Sequence, residues 1–453
     1  MLDTITLPVW LFVLILLFAS VTAASHLFFP SVRWFLRRRL ERAVARLNTR
    51  LERPIEPFKL LRRQDMILRL AYDPEVLAAV SEQAQATGVR EDVVHAEARR
   101  YAREIVPSFS AFAYFAVATR VARWLSTQLY HVRLAHEGQA DLSAIGSDAT
   151  VVFVINHRSN MDYVLVTYLA AERSALSYAV GEWARIWPVS RLLRGMGAYF
   201  IRRRSRNDLY RKVLARYVQM AVAGGVTQAI FPEGGLSLDG RVRAPKLGLL
   251  SYIVEGWSPE GRDIVFVPVS LNYDRVIEDN VLIEARRSGD RRFRGSFVTG
   301  TAFAARWLWR RATGRARRFG YAAVAFGPPL SLRAAGGMDV ADLGRELMTR
   351  IRRGMPLLPG PLVAAALLDG ARSRAEAVAW IERAVEDMTR RGVWIHLRRD
   401  DARASVDRVI DMLRLRHLVE ERAGRMELRP GADEALAYYA GSVRDLDAAT
   451  QET

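Results

Sequence analysis

Residues 149–165 read ATVVFVINHRSNMDYVL, and the architecture follows from how they are taken. Thr150 to Ile155 form a β-branched apolar run with the length and texture of a buried strand. The next residues are polar, and Ser159-x-x-Asp162 ahead of Tyr163, Val164 and Leu165 has the pattern of a helix start. Comparable runs follow: VTQAIFPE ends at Glu233, DIVFVPVSLNYD near Asp274 and YAAVAFGPP at Pro329. Helical segments lie between them, among them LYRKVLARYVQMAVAGG at 209–225. Strands alternating with helices predict an α/β fold, a mainly parallel sheet flanked by helices. In such sheets chemistry sits where loops leave the carboxyl ends of strands, which is where the polar clusters of this chain fall.

Around this core, at 136–334, the sequence predicts three further parts. Residues 31–135 read as helical, with apolar positions at helical spacing in FLRRRLERAVARLNTRL and SAFAYFAVATRVARWLSTQLY. The second of these is apolar on most faces and suits a buried core helix and a membrane-lying one equally. Residues 335–453 are mainly helical, interrupted by the strand-like RMELRP. Residues 1–30 contain an uncharged stretch, Leu7 to Ala24, followed by Arg33, Arg37, Arg38 and Arg39. That pattern predicts a single-pass transmembrane anchor in the inner membrane, with the catalytic part on the cytoplasmic side and membrane phospholipid as a partner.

Composition narrows the chemistry. The 453-residue chain has no cysteine, which excludes disulfides, zinc–thiolate sites and cysteine nucleophiles. Its formal charge is +18, from 67 Lys and Arg against 49 Asp and Glu. Such a charge suits anionic headgroups, nucleic acid phosphates or small phosphorylated ligands, and the strong preference for Arg over Lys also has the bland reading of a GC-rich genome.

The candidate chemistry is the His157-x4-Asp162 pair. On a continuous helix two residues five apart point about 140° away from each other, so the useful geometry is a turn entering a helix. A carboxylate on one imidazole nitrogen fixes the tautomer and leaves the other nitrogen as a general base for an alcohol attacking an acyl carbonyl. Backbone N–H groups at the helix start near Ser159 are the candidate stabilisers of the resulting oxyanion. The competing reading makes Asp162 a helix cap beside an incidental histidine.

INHRSNMDY resembles the first motif of the glycerol-3-phosphate and dihydroxyacetone-phosphate acyltransferases. GAYFIRR (197–203), FPEGGLSLDGRVRAPKLG (231–248) and VPVSLNYDRV (267–276) resemble the second, third and fourth, in the family's order. The resemblance implies acyl transfer from acyl-CoA or acyl-carrier protein to glycerol 3-phosphate, with His157 and Asp162 catalytic and no cofactor or metal. It implies substrate binding by Arg158, Ser159, Arg202, Arg203, Glu233, Gly234, Gly235, Lys246 and Pro268, with Pro268 and Tyr273 shaping the acyl-donor side. An Arg fork at Arg202–Arg204 suits a phosphate, although an Arg cluster also suits a membrane surface. The third motif departs from the family: Leu236 and Leu238 stand where two arginines are common, and Arg241, Arg243 or Lys246 are candidates to compensate. A lysophosphatidate acceptor is the alternative, and the small lysophosphatidate acyltransferases usually lack such long flanks. The remaining class, a basic membrane-anchored binder of nucleic acid or acidic lipid, leaves the four ordered motifs unexplained, so no nucleic acid partner is expected.

Overall fold

Ten consecutive buried residues, IVFVPVSLNY at Ile264–Tyr273, form the strand against which the others are placed. The computed structural model describes residues 8–17, 20, 39, 42, 44–49, 51, 53–134, 144–170, 174–181, 189–202, 207–289, 309, 313, 318–393, 395 and 402–451. The chain divides into two compact units, Met1–Ile55 and Glu56–Thr453, and the core and site belong to the second.

The strands of that unit are β1 (His131–Leu134), β2 (Thr150–Ile155), β3 (Ser177–Val180), β4 (Tyr199–Phe200), β5 (Gln228–Ile230), β6 (Ile264–Tyr273), β7 (Tyr321–Phe326) and β8 (Leu330–Ser331). They form one sheet in the order β1-β7-β6-β2-β5-β3-β4, with β8 added to β6. β2 runs parallel to both its neighbours, Val154 pairing with Ile230 on one side and Pro268 on the other. Here the expectation of a mainly parallel sheet is corrected to a mixed one. β7 and β8 both run antiparallel to β6, with Val269 opposite Phe326 and Phe266 opposite Leu330. The intervening Gly327-Pro328-Pro329 supplies no N–H at its two prolines, so the ladder breaks there and resumes as β8. A short apolar run carries no mark of its direction, which is why YAAVAFGPP looks like the parallel strands before it.

Within the second unit the N-terminal helices are Pro57–Leu60, Arg63–Ala71, Pro74–Thr87, Glu91–Ile105 and Thr119–Leu129, the last preceded by a π-helical stretch at Phe112–Ala118. The apolar segment at 110–130 is two-faced: Tyr114, Ala118, Ala122 and Leu129 are buried, whereas Phe112, Val117, Val121 and Trp124 are exposed. Toward the C-terminus come helices Val340–Arg353, Pro359–Leu368, Arg374–Arg390, Ala402–Leu415 and Ala432–Gln451. An antiparallel hairpin of β9 (Val419–Arg422) and β10 (Arg425–Leu428) stands before the last of them. Helix 359–368, buried along nearly its whole length, packs against the three helices that follow it.

The transmembrane anchor is the second correction. Among the described residues no helix is long and apolar enough to cross a membrane. In the first unit the described apolar helix covers only 9–17. The remainder of 1–30, apart from Pro8 and Ser20, lies outside the described residues, as do Arg33, Arg37 and Arg38. The single-pass anchor, the inner-membrane location and a membrane-embedded mode of action therefore have no support in this structure.

Lys59 is buried beneath this fold, and none of the described carboxylates forms an ion pair with it. Its Nζ donates to Ala175 O at 2.6 Å and lies 4.6 Å from the centre of the Phe109 ring. Burial holds the amine well below its ordinary value. In the unfolded chain lysine keeps its proton up to about pH 10.4, so folding near neutrality must give up a proton or bury a charge. The resulting penalty fades as pH rises toward the unfolded value, so stability should climb with pH. Raising the pH from about 7 to about 10 is expected to raise the melting temperature of the wild type relative to Lys59→Met. Parallel melting curves for the two proteins across that range would rule this out.

Candidate active site

β2 ends at Ile155, and Asn156 carries its ladder one step further with a side chain. The Asn156 amide Nδ2 donates to Leu271 O at 2.9 Å and its Oδ1 accepts from Leu271 N at 2.7 Å. This fixes where His157 leaves the sheet. The backbone of His157 is held from the neighbouring strand end: its N–H donates to Glu233 Oε1 at 2.8 Å, and its carbonyl accepts from Ser237 N at 2.8 Å.

The imidazole Nδ1 lies 2.9 Å from Asp162 Oδ2, the two side chains being 3% and 0% exposed. A carboxylate can only accept, so Nδ1 carries the proton and Nε2 is left as the basic nitrogen. Oδ2 also accepts from the backbone N–H of Arg158 at 2.7 Å and of Ser159 at 3.0 Å. Oδ1 accepts from the Tyr273 hydroxyl at 2.7 Å. Asp162 thus closes the turn that presents His157, while the cap at the helix start is Ser159, whose Oγ accepts from Met161 N at 3.1 Å. The Ser159 hydroxyl in turn donates to Glu278 Oε2 at 2.9 Å, and Glu278 Oε1 accepts from Asn160 N at 2.6 Å. Burial pushes the Glu278 carboxyl above its ordinary value, against the two donors that hold it.

These bonds redistribute the roles expected of the turn. The N–H groups of Arg158, Ser159, Asn160 and Met161 are all committed to Asp162, Glu278 or Ser159, so the helix start offers no oxyanion hole. Ser159 faces Glu278. Arg158 is almost wholly buried: its Nη1 donates to Gly240 O at 2.9 Å and its guanidinium lies 5.6 Å from the Tyr438 ring centre.

The loop after β5 is the second wall. Glu233 binds the His157 backbone through Oε1 and accepts from Arg243 N at 3.3 Å through Oε2. Burial raises its carboxyl to about 8 although both donors favour the charged form. Gly234 has φ +66°, and a Cβ there would fall 2.7 Å from Lys246 Cδ. Glycine is therefore required both for the turn and for the lysine stem laid across it. Gly235 continues that turn, and Lys246 N returns to Pro232 O at 2.7 Å. Helix 432–451 closes over the loop: Val242 N donates to Asp445 Oδ2 at 2.9 Å, and Gly441 lies where any side chain would meet the backbone of Asp239.

Other expected residues stand apart from His157. Arg202 makes a two-pronged contact with Glu104, Nε to Oε1 at 2.8 Å and Nη2 to Oε2 at 2.7 Å, so its fork is already occupied by a carboxylate. It follows β4, three strands from β2 and thus about 14 Å across the sheet. Arg203 and Arg204 lie outside the described residues. Pro268 is a core residue of β6 paired with Val154, well below the strand end. Conversely, Tyr273 acts on Asp162, and Glu278 and Asn156 are further site residues that sequence reasoning missed. Each is the polar residue at, or just past, the end of a buried strand or motif, which is the one signal that marks them. Among the described residues no group of three or more His, Asp or Glu side chains is placed to hold a metal ion.

The geometry on hand is a buried His–Asp pair at the carboxyl end of a parallel strand, on a sheet with helices on its flanks. Residues 133–272, about a third of the chain, match the acyltransferase family. The glycerol-3-phosphate acyltransferase of Actinobacillus succinogenes is 29% identical over 280 residues, 60% of this chain and 33% of that one. That of Shewanella amazonensis is 32% identical over 244 residues, 52% of this chain and 30% of the relative. The chain thus spans about a third of the length of these curated relatives. A crystal structure of the 1-acyl-sn-glycerophosphate acyltransferase from Thermotoga maritima aligns with 57% of this chain and 82% of that one, at 17% identity and a TM-score of 0.33. That likeness is too weak to bear on the chemistry.

Tyr273→Phe removes one donor from Asp162 while keeping the ring in the core. Loss of a hydrogen bond to a charged group is worth about 1.5–3 kcal/mol, so kcat should fall roughly 10- to 100-fold with little change in either KM. Steady-state kinetics of the variant tests this, and equal losses in kcat and substrate affinity would make Tyr273 a packing residue only.

Proposed function

We propose that this protein is an O-acyltransferase that moves an acyl group from a thioester, acyl-CoA or acyl-carrier protein, to a hydroxyl of glycerol 3-phosphate. The observation that carries the reading is the His157–Asp162 contact of 2.9 Å in a buried turn, with Nε2 hydrogen-bonded to none of the described residues. Nε2 takes the proton of the acceptor hydroxyl as its oxygen attacks the thioester carbonyl. Asp162 stabilises the imidazolium, and collapse of the tetrahedral intermediate expels the thiolate, which recovers that proton as the thiol. The named relatives support a glycerolipid acceptor, and the reading carries no membrane anchor. One feature favours lysophosphatidate as a second acceptor: Leu236 and Leu238 replace cations with apolar side chains.

The test offers palmitoyl-CoA with glycerol 3-phosphate, dihydroxyacetone phosphate or lysophosphatidate to the wild type, His157→Ala and Asp162→Asn. Both variants are expected to lose about 10²–10⁴ in rate while staying folded. Asn keeps the size of Asp162 but turns one acceptor oxygen into a donor, so it cannot hold all four donors as the carboxylate does. Full activity in Asp162→Asn would therefore reduce Asp162 to a structural role, and full activity in His157→Ala would overturn the mechanism.

A further inference from the structure

With Leu236 and Leu238 in place of arginines, the loop after β5 must find its positive charge elsewhere, and the structure narrows the choice. The fork of Arg202 is occupied by Glu104, and Arg158 is buried between Gly240 and Tyr438. The stem of Lys246 lies across Gly234. What remains is a cleft of about 300 Å³ between this loop and the end of helix 279–288, lined by Leu238, Asp239, Arg243, Ala285, Arg286 and Gly289.

Three features give the cleft a chemical identity. No hydrogen bond or ion pair joins the Arg243 or Arg286 guanidinium to another described residue, and the Arg243 charge acts at longer range on the buried Glu233 carboxyl. The one acid on the rim, Asp239, has its Oδ1 engaged by Ser237 Oγ and by Arg241 N, both at 3.2 Å. The loop is also tied directly to the catalytic histidine, through Ser237 N to His157 O and through Arg243 N to Glu233.

We propose that Arg243 and Arg286 form a binding site for a phosphate monoester carried by one of the two substrates, a role that rests on the acyl-transfer reading above. Two guanidinium forks across a small cleft match a tetrahedral dianion. At the small end of the range for ligand clefts, about 300–1,000 Å³, the space suits glycerol 3-phosphate or the phosphate end of a CoA thioester, and no complete nucleotide thioester. Arg286 lies outside all four motifs of the resemblance, so this chain supplies from a neighbouring helix the charge that its third motif lacks.

The experiment uses the intact chain, the double variant Arg243→Gln/Arg286→Gln, and Arg287→Gln as a control for general surface charge. Calorimetric titration with glycerol 3-phosphate and, separately, with adenosine 3′,5′-bisphosphate reads the site without turnover. Kinetics with palmitoyl-CoA and palmitoyl-pantetheine read it during turnover. The double variant is expected to weaken binding of one of these phosphates, and to raise the KM of the substrate carrying it, by about 10- to 100-fold, with Arg287→Gln near wild type. A rise confined to glycerol 3-phosphate assigns the site to the acceptor. A rise for palmitoyl-CoA that palmitoyl-pantetheine does not share assigns it to the donor. Unchanged binding and unchanged KM values in the double variant overturn the site while leaving acyl transfer standing. Phosphate binding by a wild type that transfers no acyl group, weakened in the double variant, overturns acyl transfer and leaves the site.

Discussion

A single carboxylate, fully buried and accepting four hydrogen bonds, organises the active end of this molecule. Asp162 gathers the His157 ring, the backbone of Arg158 and Ser159, and the hydroxyl of Tyr273. Taking a carboxylate out of water is costly, and only a full set of donors makes the burial tolerable. The donors come from the β2 turn and from the end of β6, so the turn cannot adopt its shape until those two strands lie side by side. Sheet pairing and catalytic geometry are therefore one requirement.

The same economy governs the surroundings. Asn156 substitutes for a strand residue, Glu233 for a neighbouring backbone, and Glu278 holds the hydroxyl of Ser159, the capping residue. Three acidic side chains stand within the shell of one histidine, and burial disfavours the charge on Glu233 and Glu278.

Local features were legible in the sequence, and long-range ones were not. The run ATVVFVI passing through INHRSNMD into YVL describes a strand, a turn and a helix start, because each of these is set by neighbours a few residues apart. The partner of Arg202 is Glu104, on a helix almost a hundred residues earlier, and nothing near GAYFIRR hints that its fork is occupied. Tyr273 and Glu278 reach the turn of β2 from a different motif, and their targets appear only when β6 is laid beside β2. The direction of β7 was equally hidden, since apolar alternation is the same read forward or backward. The apolar stretch near the N-terminus shows the opposite limit: composition suited a membrane span, whereas no helix among the described residues is long and apolar enough for one.

The closing of the β5 loop by helix 432–451 has a temporal side. That helix holds Val242 through Asp445 and covers Arg158 with Tyr438, yet it leaves the ribosome long after His157. During synthesis the histidine, its carboxylate and the sheet are all present while the loop beside them lacks its far support. The loop beside His157 therefore gains its far support only when the final helix has been made and docks.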